Sequence, residues 1–294
     1  MKRGHTAVVT GATGGIGEAI AGQLAARGWS VVMVGRDTER LRGAQARIRT
    51  VTPDAELRAE LADLSLLTHV RALADRLDPV EIDAVISNAA VVADLRDHTA
   101  EGIQRTLATN HLAPYLLLRS LGESLAAAGR SARLVVVGAS PSALRRVPVR
   151  LDDLGFADEH PRGVPPSFRP FVAYGRTKNM NAMFVYSLAR RLAGTGVTVN
   201  GAHPGIIRNT GLGRDTSRGL LRAFGWTQWV NPFLGGPDAG ADTPVWLTTD
   251  TELEGVTGRF FVRRKEVHTA PHTTDGARLD LLWNESAQLV GLPG

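Results

Sequence analysis

The residues VVTGATGGIGEAIAGQLAARG (8–28) decide the fold. A short β-branched run ends in a cluster of glycines, and an amphipathic helical pattern begins inside that cluster. Glycines in such a turn let the backbone approach a pyrophosphate, while the following helix offers unpaired N–H groups and the positive end of its dipole. The order of strand, glycine turn and helix therefore predicts a dinucleotide-binding unit near the start of the chain.

Short apolar runs alternate with helix-length segments along the rest of the chain. Strands are predicted at 6–10, 30–35, 55–61, 83–88, 133–139, 197–203 and 258–262, and helices at 15–28, 38–49, 65–77, 101–128 and 174–194. Strands this apolar are expected to be buried on both faces, as in a parallel sheet covered by helices. The sequence predicts an α/β fold, a doubly wound parallel sheet (Rossmann fold) that forms a single domain over 1–294.

Three segments depart from this alternation. Residues 141–172 carry many prolines and little periodicity, which predicts a loop insertion. Residues 206–236 are rich in glycine, arginine and aromatic residues, and we interpret them as a substrate lid. Trp226 and Trp229 in that segment fit a lid over a bulky apolar ligand and fit packing or dimer contacts equally well. A C-terminal helical tail is predicted at 275–294.

Composition excludes several classes of protein. The net charge is +5, but the arginines are scattered among 29 acidic residues without a zinc-finger or RNP-type pattern, so no nucleic-acid partner is expected. No apolar run approaches the roughly 18 residues that span a bilayer, and MKRGH (1–5) is too short for a signal peptide. We therefore expect a soluble, cytoplasmic protein without an integral membrane segment. The chain has 0 cysteines, which excludes disulfides and thiolate sites, and no metal site is predicted.

A second stretch, AYGRTKNM (173–180), contains one of the few lysines of a chain in which nearly all basic residues are arginine. Tyr174 and Lys178 are four residues apart in a predicted helix, so both side chains project from one face. A neighbouring ammonium favours the phenolate and lowers the phenol pKa, which makes a tyrosine a usable proton donor and acceptor near neutrality. Taken alone, the pair also fits a surface tyrosine and lysine on one helical turn.

Together the two stretches resemble the short-chain dehydrogenase/reductase family. TGATGGIG (10–17) matches the TGxxxGIG signature at every fixed position, and Tyr174 and Lys178 match the YxxxK motif. The resemblance covers nearly the whole chain. It is closest to the retinol dehydrogenase and protochlorophyllide reductase-like group, whose pattern is followed by LARRLAGTGVTVNGAHPG (188–205) and ARLDLLWNESAQLVGLPG (277–294).

The resemblance implies hydride transfer between a nicotinamide and a carbonyl or alcohol carbon. Tyr174 would move the proton, and Lys178 would lower the pKa of that phenol and hold the nicotinamide ribose. Asn110, in TNHLAPYLLL (109–118), matches the catalytic asparagine and would position a water that relays protons from Lys178.

A serine that hydrogen-bonds the substrate oxygen is also implied. The family's VSS aligns with VGASPSA (137–143), which puts Ala139 in the catalytic place and Ser140 one position later. A shift by one residue on a strand points a side chain to the other face, but a bulge or turn at the end of the strand could redirect it. We therefore favour Ser140 as the catalytic serine, with Ser142 in reserve.

Further positions match the family's cofactor contacts. Asp63 in ADL (62–64) would lie near the adenine, Asn88 is retained from NNAG, and Ala90 stands where glycine is usual, which is tolerable if the backbone there needs no positive φ. The PG motif is followed by one extra residue, so Thr210 or Asn209 would contact the nicotinamide amide. The predicted cofactor-binding residues are Gly11, Thr13, Gly14, Gly15, Ile16, Gly17, Arg36, Asp63, Leu64, Asn88, Ala89, Tyr174, Lys178, Pro204, Gly205, Ile207 and Thr210.

The tip of the second predicted strand, VGRD (34–37), bears on the choice of cofactor. An acidic residue there would accept the ribose hydroxyl of NAD, whereas an arginine pairs with a 2′-phosphate. Gly35 occupies the tip and Arg36 follows it, which predicts NADP(H). Alternatively, Arg36 and Asp37 cap the following helix and pair with each other, and Asp37 could compete for the ribose.

The sequence thus predicts an NADP(H)-dependent oxidoreductase that interconverts a carbonyl and an alcohol on a lipophilic small molecule. One alternative is a cofactor-retaining isomerase or dehydratase on the same fold. Another is a cofactor-binding regulatory protein without turnover, which the displaced serine favours. The resemblance also makes the helices at 101–128 and 174–194 candidates for contacts in a homo-oligomer.

Overall fold

The computed structural model describes residues 4–141, 145, 147–157, 164–205, 207 and 235–294. The strands are β1 (Thr6–Thr10), β2 (Ser30–Gly35), β3 (Leu57–Leu61), β4 (Ala84–Ser87), β5 (Ala132–Val137), β6 (Val197–His203), β7 (Arg259–Val262) and β8 (Lys265–Glu266). The helices are α1 (Gly15–Ala25), α2 (Thr38–Val51), α3 (Leu67–Arg76), α4 (Arg105–Leu107), α5 (Ala113–Ala127), α6 (Arg169–Arg191), α7 (Pro237–Thr249) and α8 (Gly276–Leu289). A π-helical turn, Ala108–Leu112, joins α4 to α5.

These strands form one sheet in the order β3-β2-β1-β4-β5-β6-β7-β8. Neighbouring strands are parallel from β3 to β7, and β8 adds an antiparallel edge. From β1 the chain continues to β2 and β3 on one side of the sheet, and from β4 it continues to β5, β6 and β7 on the other side. In open α/β sheets, ligands bind at the carboxyl edge of the strands where the direction reverses. The doubly wound parallel sheet predicted from the sequence is confirmed.

Helices cover both faces of this sheet, and successive residues of a strand enter opposite layers. In β1, Val9 packs in the layer that contains apolar residues of α1, α2 and α7. Val8 packs in the layer that contains those of α3, α5, α6 and α8. Burial on both faces is the reason that the strands are apolar along their whole length rather than at alternate positions.

Several boundaries differ from the sequence-based expectations. Helix α6 begins at Arg169 rather than 174. Pro170 fits in its first turn because the backbone N–H groups of a first turn have no partner within the helix, so proline removes no hydrogen bond there. The segment between β5 and α6 therefore ends at 168, four residues before the end of the predicted insertion. Strand β5 ends at Val137 instead of 139. Neither α7 nor β8 was anticipated.

The predicted lid at 206–236 lies almost wholly outside the described residues. Ile207 and Gly235, near its two ends, form an isolated parallel bridge with each other. The C-terminal helical tail is present as α8. In the parts of the chain that the structure describes, none of the helices combines the length and apolarity needed to cross a bilayer.

Candidate active site

The glycine turn between β1 and α1 can be built only with glycine at some of its positions. Gly11 and Gly15 have φ values of 67° and 57°, which side chains rarely adopt. Gly17 is constrained by space instead, because a Cβ there would lie 2.2 Å from the carbonyl oxygen of Gly11. At Gly14 the backbone is extended, and a Cβ would meet nothing nearer than Arg40 Nη2 at 4.0 Å. The turn is thus tight on its inner side and open at Gly14.

The loop after β4 locks this turn in place. The side-chain amide of Asn88 donates to the carbonyl oxygen of Thr10 at 3.0 Å. The Thr10 hydroxyl in turn accepts from the backbone N–H groups of Asn88 and Ala89, at 2.9 and 3.1 Å. Asn88 and Ala89 therefore shape the cofactor turn, which is compatible with their predicted place in the site. Ala90 has no positive φ, as expected for an alanine at that position.

The first turn of α1 offers hydrogen-bond donors to a ligand. Gly14 provides no side-chain cap for α1. By contrast, Asp37 and Asp275 cap α2 and α8 with their carboxylates, and Glu101 accepts from two N–H groups in the first turn of α3. An uncapped helix N-terminus behind a glycine turn suits an anion. The residues present therefore fit the pyrophosphate of a dinucleotide.

Charged groups gather at the ends of β2 and β3, where the ribose of the adenosine half is expected. Asp37 Oδ1 accepts from the N–H of Arg40 at 3.0 Å, so this carboxylate serves as a helix cap. Asp63 Oδ1 accepts from the N–H of Ser65 at 2.9 Å. Its pKa lies below the ordinary value because these hydrogen bonds and the charge of Arg36 outweigh the cost of burial. Arg36 and Asp63 thus lie within electrostatic reach of each other.

Arg40 is a candidate site residue that the sequence reasoning missed. Its guanidinium lies beside the open position at Gly14, although its backbone belongs to the first turn of α2. Helical side chains lean toward the N-terminus of their helix. An arginine in the first turn after β2 therefore reaches back to the phosphate end, but nothing in the local sequence distinguishes Arg40 from the other arginines of α2.

At the other end of the site, α6 carries Tyr174 and Lys178 over the end of β5. The Lys178 ammonium donates to the carbonyl oxygen of Val137 at 3.0 Å and lies 5.6 Å from the centre of the Tyr174 ring. Strand β4 alone separates β1 from β5. At a strand spacing of about 4.8 Å, the ends of β1 and β5 are about 10 Å apart along the same edge. The glycine turn and the YxxxK pair therefore share one cleft edge.

Burial acts against the predicted lowering of the Tyr174 pKa. Burial raises the pKa of Tyr174 to about 12, since the phenolate loses its hydration. Burial also lowers the pKa of Lys178 to about 8. At pH 7 the pair is therefore a neutral phenol and an ammonium, a form that can donate a proton from the phenolic oxygen.

Asn110 lies fully buried in the π turn, and its side chain is engaged by the backbone. Its Oδ1 accepts from the N–H of Val91 at 2.8 Å, and its Nδ2 donates to the Val91 carbonyl at 2.9 Å. The same Nδ2 lies 3.2 Å from the Thr177 hydroxyl, which donates to the carbonyl oxygen of Tyr174 at 2.7 Å. The asparagine thus connects the loop after β4 with the turn of α6 that bears the predicted acid/base pair.

The serine position follows the end of β5. Gly138 donates to the Ala202 carbonyl at 2.8 Å, and a Cβ on it would lie 2.7 Å from Phe260 Cζ. Because the strand ends at Val137, Ala139 and Ser140 lie beyond it and strict alternation of faces no longer applies to them. Both are partly buried. Ser140 remains a prediction, while Ser142 lies outside the described residues.

The PG motif follows β6 at the same edge. His203 pairs with Val262 in the sheet, and Gly205 has a φ of 89°. The pKa of His203 is lowered to about 4 by burial and by the charges of Lys178 and Arg263, so the imidazole is neutral at pH 7. Asn209 and Thr210 lie outside the described residues. Among the residues that are described, no three His, Asp or Glu side chains converge to hold a metal ion.

Comparisons with known proteins agree with this geometry. A family model described as short chain dehydrogenase matches residues 5–150. Retinol dehydrogenase 14 of Homo sapiens is 33% identical, with 99% of this chain and 88% of that protein covered. A proposed daunorubicin C-13 ketoreductase of Streptomyces sp. (strain C5) is 37% identical, with 98% of this chain and 93% of that protein covered.

The fold also matches solved structures. One is a 3-oxoacyl (acyl-carrier-protein) reductase from Agrobacterium tumefaciens C58 with NADP bound. It is 26% identical to this chain, and the superposition has a TM-score of 0.65 over 88% of this chain and 93% of the other.

Proposed function

This chain belongs to the short-chain dehydrogenase/reductase family, and from that premise we propose that it reduces a carbonyl on a lipophilic small molecule with NADPH, Tyr174 being the proton donor. Its class, an oxidoreductase that interconverts a carbonyl and an alcohol, follows from the family. The observation that carries the finer proposal is the position of Tyr174 and Lys178 on the same sheet edge as the uncapped glycine turn. A bound nicotinamide would supply the hydride.

At neutral pH, Tyr174 has the protonation state that reduction of a carbonyl requires. A carbonyl that gains a hydride needs a proton at its oxygen, and a neutral phenol can supply it. Burial keeps Tyr174 protonated, with a pKa of about 12. The nearby ammonium of Lys178 stabilises the phenolate that forms when the proton leaves. Thr177 and Asn110 hold the backbone of this helical turn, so the phenol is delivered from a fixed position.

The preference for NADP(H) rests on the arginines at the end of β2. Asp37 is engaged as the cap of α2, which leaves Arg36 and Arg40 as the groups best suited to the ribose end. Guanidinium groups recognise phosphate oxygens through paired hydrogen bonds. The NADP found in the reductase from Agrobacterium tumefaciens supports the same choice.

The lipophilic substrate is supported by the relatives and by the surroundings of α6. The names of two relatives refer to retinol, a largely apolar molecule, and to daunorubicin, which contains a large fused ring system. In the loop before α6, Val149, Leu154 and Phe156 are buried. The Arg176 guanidinium lies 5.9 Å from the centre of the Phe156 ring. The three buried residues belong to the same apolar cluster as Ala173 and Met180 of α6.

The test is oxidation of NADPH and of NADH by the purified protein with a panel of lipophilic aldehydes and ketones, including retinal and aromatic ketones. We expect turnover that prefers NADPH and that falls by about 100-fold or more in Tyr174→Phe, as for the loss of a general acid. Tyr186→Phe is the matched control. It removes a hydroxyl from the same helix, one that hydrogen-bonds Thr269 at 2.8 Å, and should leave turnover unchanged.

Two results would contradict the proposal. Saturable NADPH binding without turnover on any panel member would favour a regulatory protein or a non-redox enzyme. Turnover that survives in Tyr174→Phe would remove Tyr174 from the mechanism.

A further inference from the structure

A buried polar cluster outside the predicted chemistry connects the active site to the C-terminal helix. His111 follows Asn110 in the π turn and is 0% exposed. Its Nε2 lies 2.8 Å from the Ser286 hydroxyl on α8, and its Nδ1 lies 3.4 Å from Asn181 Oδ1 on α6. Ser286 and Asn181 are also buried. The imidazole therefore bridges three helices in a site without access to water.

The two contacts require one state of the ring. A neutral imidazole has one donor nitrogen and one acceptor nitrogen. The Asn181 carbonyl oxygen can only accept, so Nδ1 carries the hydrogen, and Nε2 accepts from the Ser286 hydroxyl. Burial lowers the pKa of His111 to about 4, which keeps the ring neutral. The Ser286 hydroxyl therefore has a defined partner, and its removal would leave Nε2 buried without one.

The opposite side of the π turn holds the predicted catalytic turn. Asn110 contacts Thr177, and Thr177 donates to the carbonyl oxygen of Tyr174. Asn181 lies one turn after Lys178 on the same helix. Consecutive residues of the π turn thus contact α6 at Thr177, between Tyr174 and Lys178, and at Asn181, one turn after Lys178. Of these two residues, His111 alone also reaches α8. The π-helical turn at Ala108–Leu112 also supports a role in the site, because such turns often occur at functional sites.

Helix α8 has other attachments that do not involve the π turn. The Trp283 ring lies 3.9 Å from the Arg191 guanidinium and 4.6 Å from that of Arg119. The hydroxyl of Tyr115 donates to the Trp283 carbonyl at 3.0 Å. The Ser187 hydroxyl on α6 points to the carbonyl of Leu279 at 3.5 Å. These contacts keep α8 docked when the bond between His111 and Ser286 is removed.

We propose that His111 is a positioning residue, which fixes the π turn against Ser286 of α8 and thereby sets the Tyr174–Lys178 turn in its reactive place. The C-terminal helix is then part of the active-site framework, although none of its residues belongs to the predicted chemistry. The inference rests on the proposed function of Tyr174, and it adds a dependence of that chemistry on a hydroxyl of α8.

The experiment compares Ser286→Ala with Ser286→Thr and with Ser187→Ala in the full chain. Ser187→Ala removes another buried hydroxyl from the contact between α6 and α8, but one that does not touch the π turn. We expect kcat to fall about tenfold in Ser286→Ala, with KM for the carbonyl and Kd for NADPH within twofold of the native values. Ser286→Thr, which keeps a hydroxyl, should restore most of kcat, and Ser187→Ala should retain it.

Hydrogen–deuterium exchange of the same variants without cofactor gives a readout that needs no turnover. We expect exchange at 108–112 and 174–181 to be about tenfold faster in Ser286→Ala than in the native chain, and to be unchanged in Ser187→Ala. Equal effects of Ser286→Ala and Ser187→Ala, or native kcat and exchange in Ser286→Ala, would overturn the inference. If the native chain turns over no carbonyl, the proposed function fails, and the exchange measurement still decides whether α8 holds the catalytic turn.

Discussion

Three alanine substitutions in one turn and its helix separate the folding role of the glycines from their binding role. In Gly17→Ala the new Cβ would lie 2.2 Å from the Gly11 carbonyl oxygen and 2.5 Å from Asn88 Nδ2. Real Cβ contacts essentially never fall below 3.0 Å, so the backbone of the turn must move by about 0.8 Å. Overpacking of this kind costs about 1 to 3 kcal/mol, and the upper end applies because the obstacle is backbone.

Alanine should change the stability of the fold less at Gly22 and at Gly14. In Gly22→Ala the nearest atom is Ile48 Cγ1 at 3.7 Å, and alanine in a helix interior is favoured over glycine by about 0.5 to 1 kcal/mol. In Gly14→Ala the backbone is extended and the space is open, so stability should not change. The methyl group would nevertheless occupy the side of the turn that a pyrophosphate must approach.

Thermal unfolding and fluorescence titration with NADPH measure both consequences. An unfolding entropy of about 2.1 cal/mol/K per residue converts a loss of about 3 kcal/mol into a Tm lower by about 5 °C for Gly17→Ala. Gly22→Ala should raise Tm by about 1 to 2 °C with native affinity. Gly14→Ala should keep Tm within about 1 °C and weaken NADPH binding about tenfold, or roughly 1.4 kcal/mol.

Either of two results would contradict this description of the glycine turn. Native Tm and native affinity in Gly17→Ala would mean that the turn is not packed as described. Native affinity in Gly14→Ala would mean that the dinucleotide does not cross the open side of the turn.

Three further predictions test separate parts of the site. Arg40→Ala should weaken NADPH binding by titration more than it weakens NADH binding, because NADH shares the pyrophosphate expected beside Gly14 but lacks the 2′-phosphate; equal losses for both cofactors would contradict this. Glu101→Gln should lower Tm at pH 7, because the carboxylate caps α3 and its pKa lies below the ordinary 4.5. A carboxyl with a lowered pKa stabilises the fold above that value and loses this effect as the pH falls through its folded pKa, so the difference in Tm from the native chain should shrink below pH 4.5; a difference that stays constant would argue against the cap. Ser140→Ala should reduce kcat about 100-fold if its hydroxyl stabilises the developing oxyanion, and a native kcat would show that another group, or the substrate, does so.

The sequence was most informative where local chemistry and fold agree. The turn at Gly11 and Gly17 could be predicted because its spacing is required by backbone geometry that glycine alone satisfies. Tyr174 and Lys178 could be placed on one face because their separation matches the helical period. The doubly wound parallel sheet could be predicted from the alternating elements and from the handedness of crossovers.

What could not be predicted depends on contacts between distant residues. The role of Arg40 depends on how its side chain turns back across the glycine loop, and one sequence does not contain that direction. The contact of His111 with Ser286 joins residues 175 positions apart, and neither residue is unusual in its local sequence. The effect of burial on the pKa of Tyr174 could not be predicted either, because the sequence shows the neighbouring lysine but not the degree of burial.

The separation of 175 positions between His111 and Ser286 also has a consequence for folding. Bringing together two positions so far apart costs more chain entropy than forming the turn between β1 and α1. During synthesis at about 5 to 20 residues per second, Ser286 is added about 9 to 35 s after His111. The glycine turn and the Asn88 loop are complete long before the last helix exists. We therefore expect the nascent chain to form its nucleotide half first and to assemble its proton-transfer half only when α8 docks.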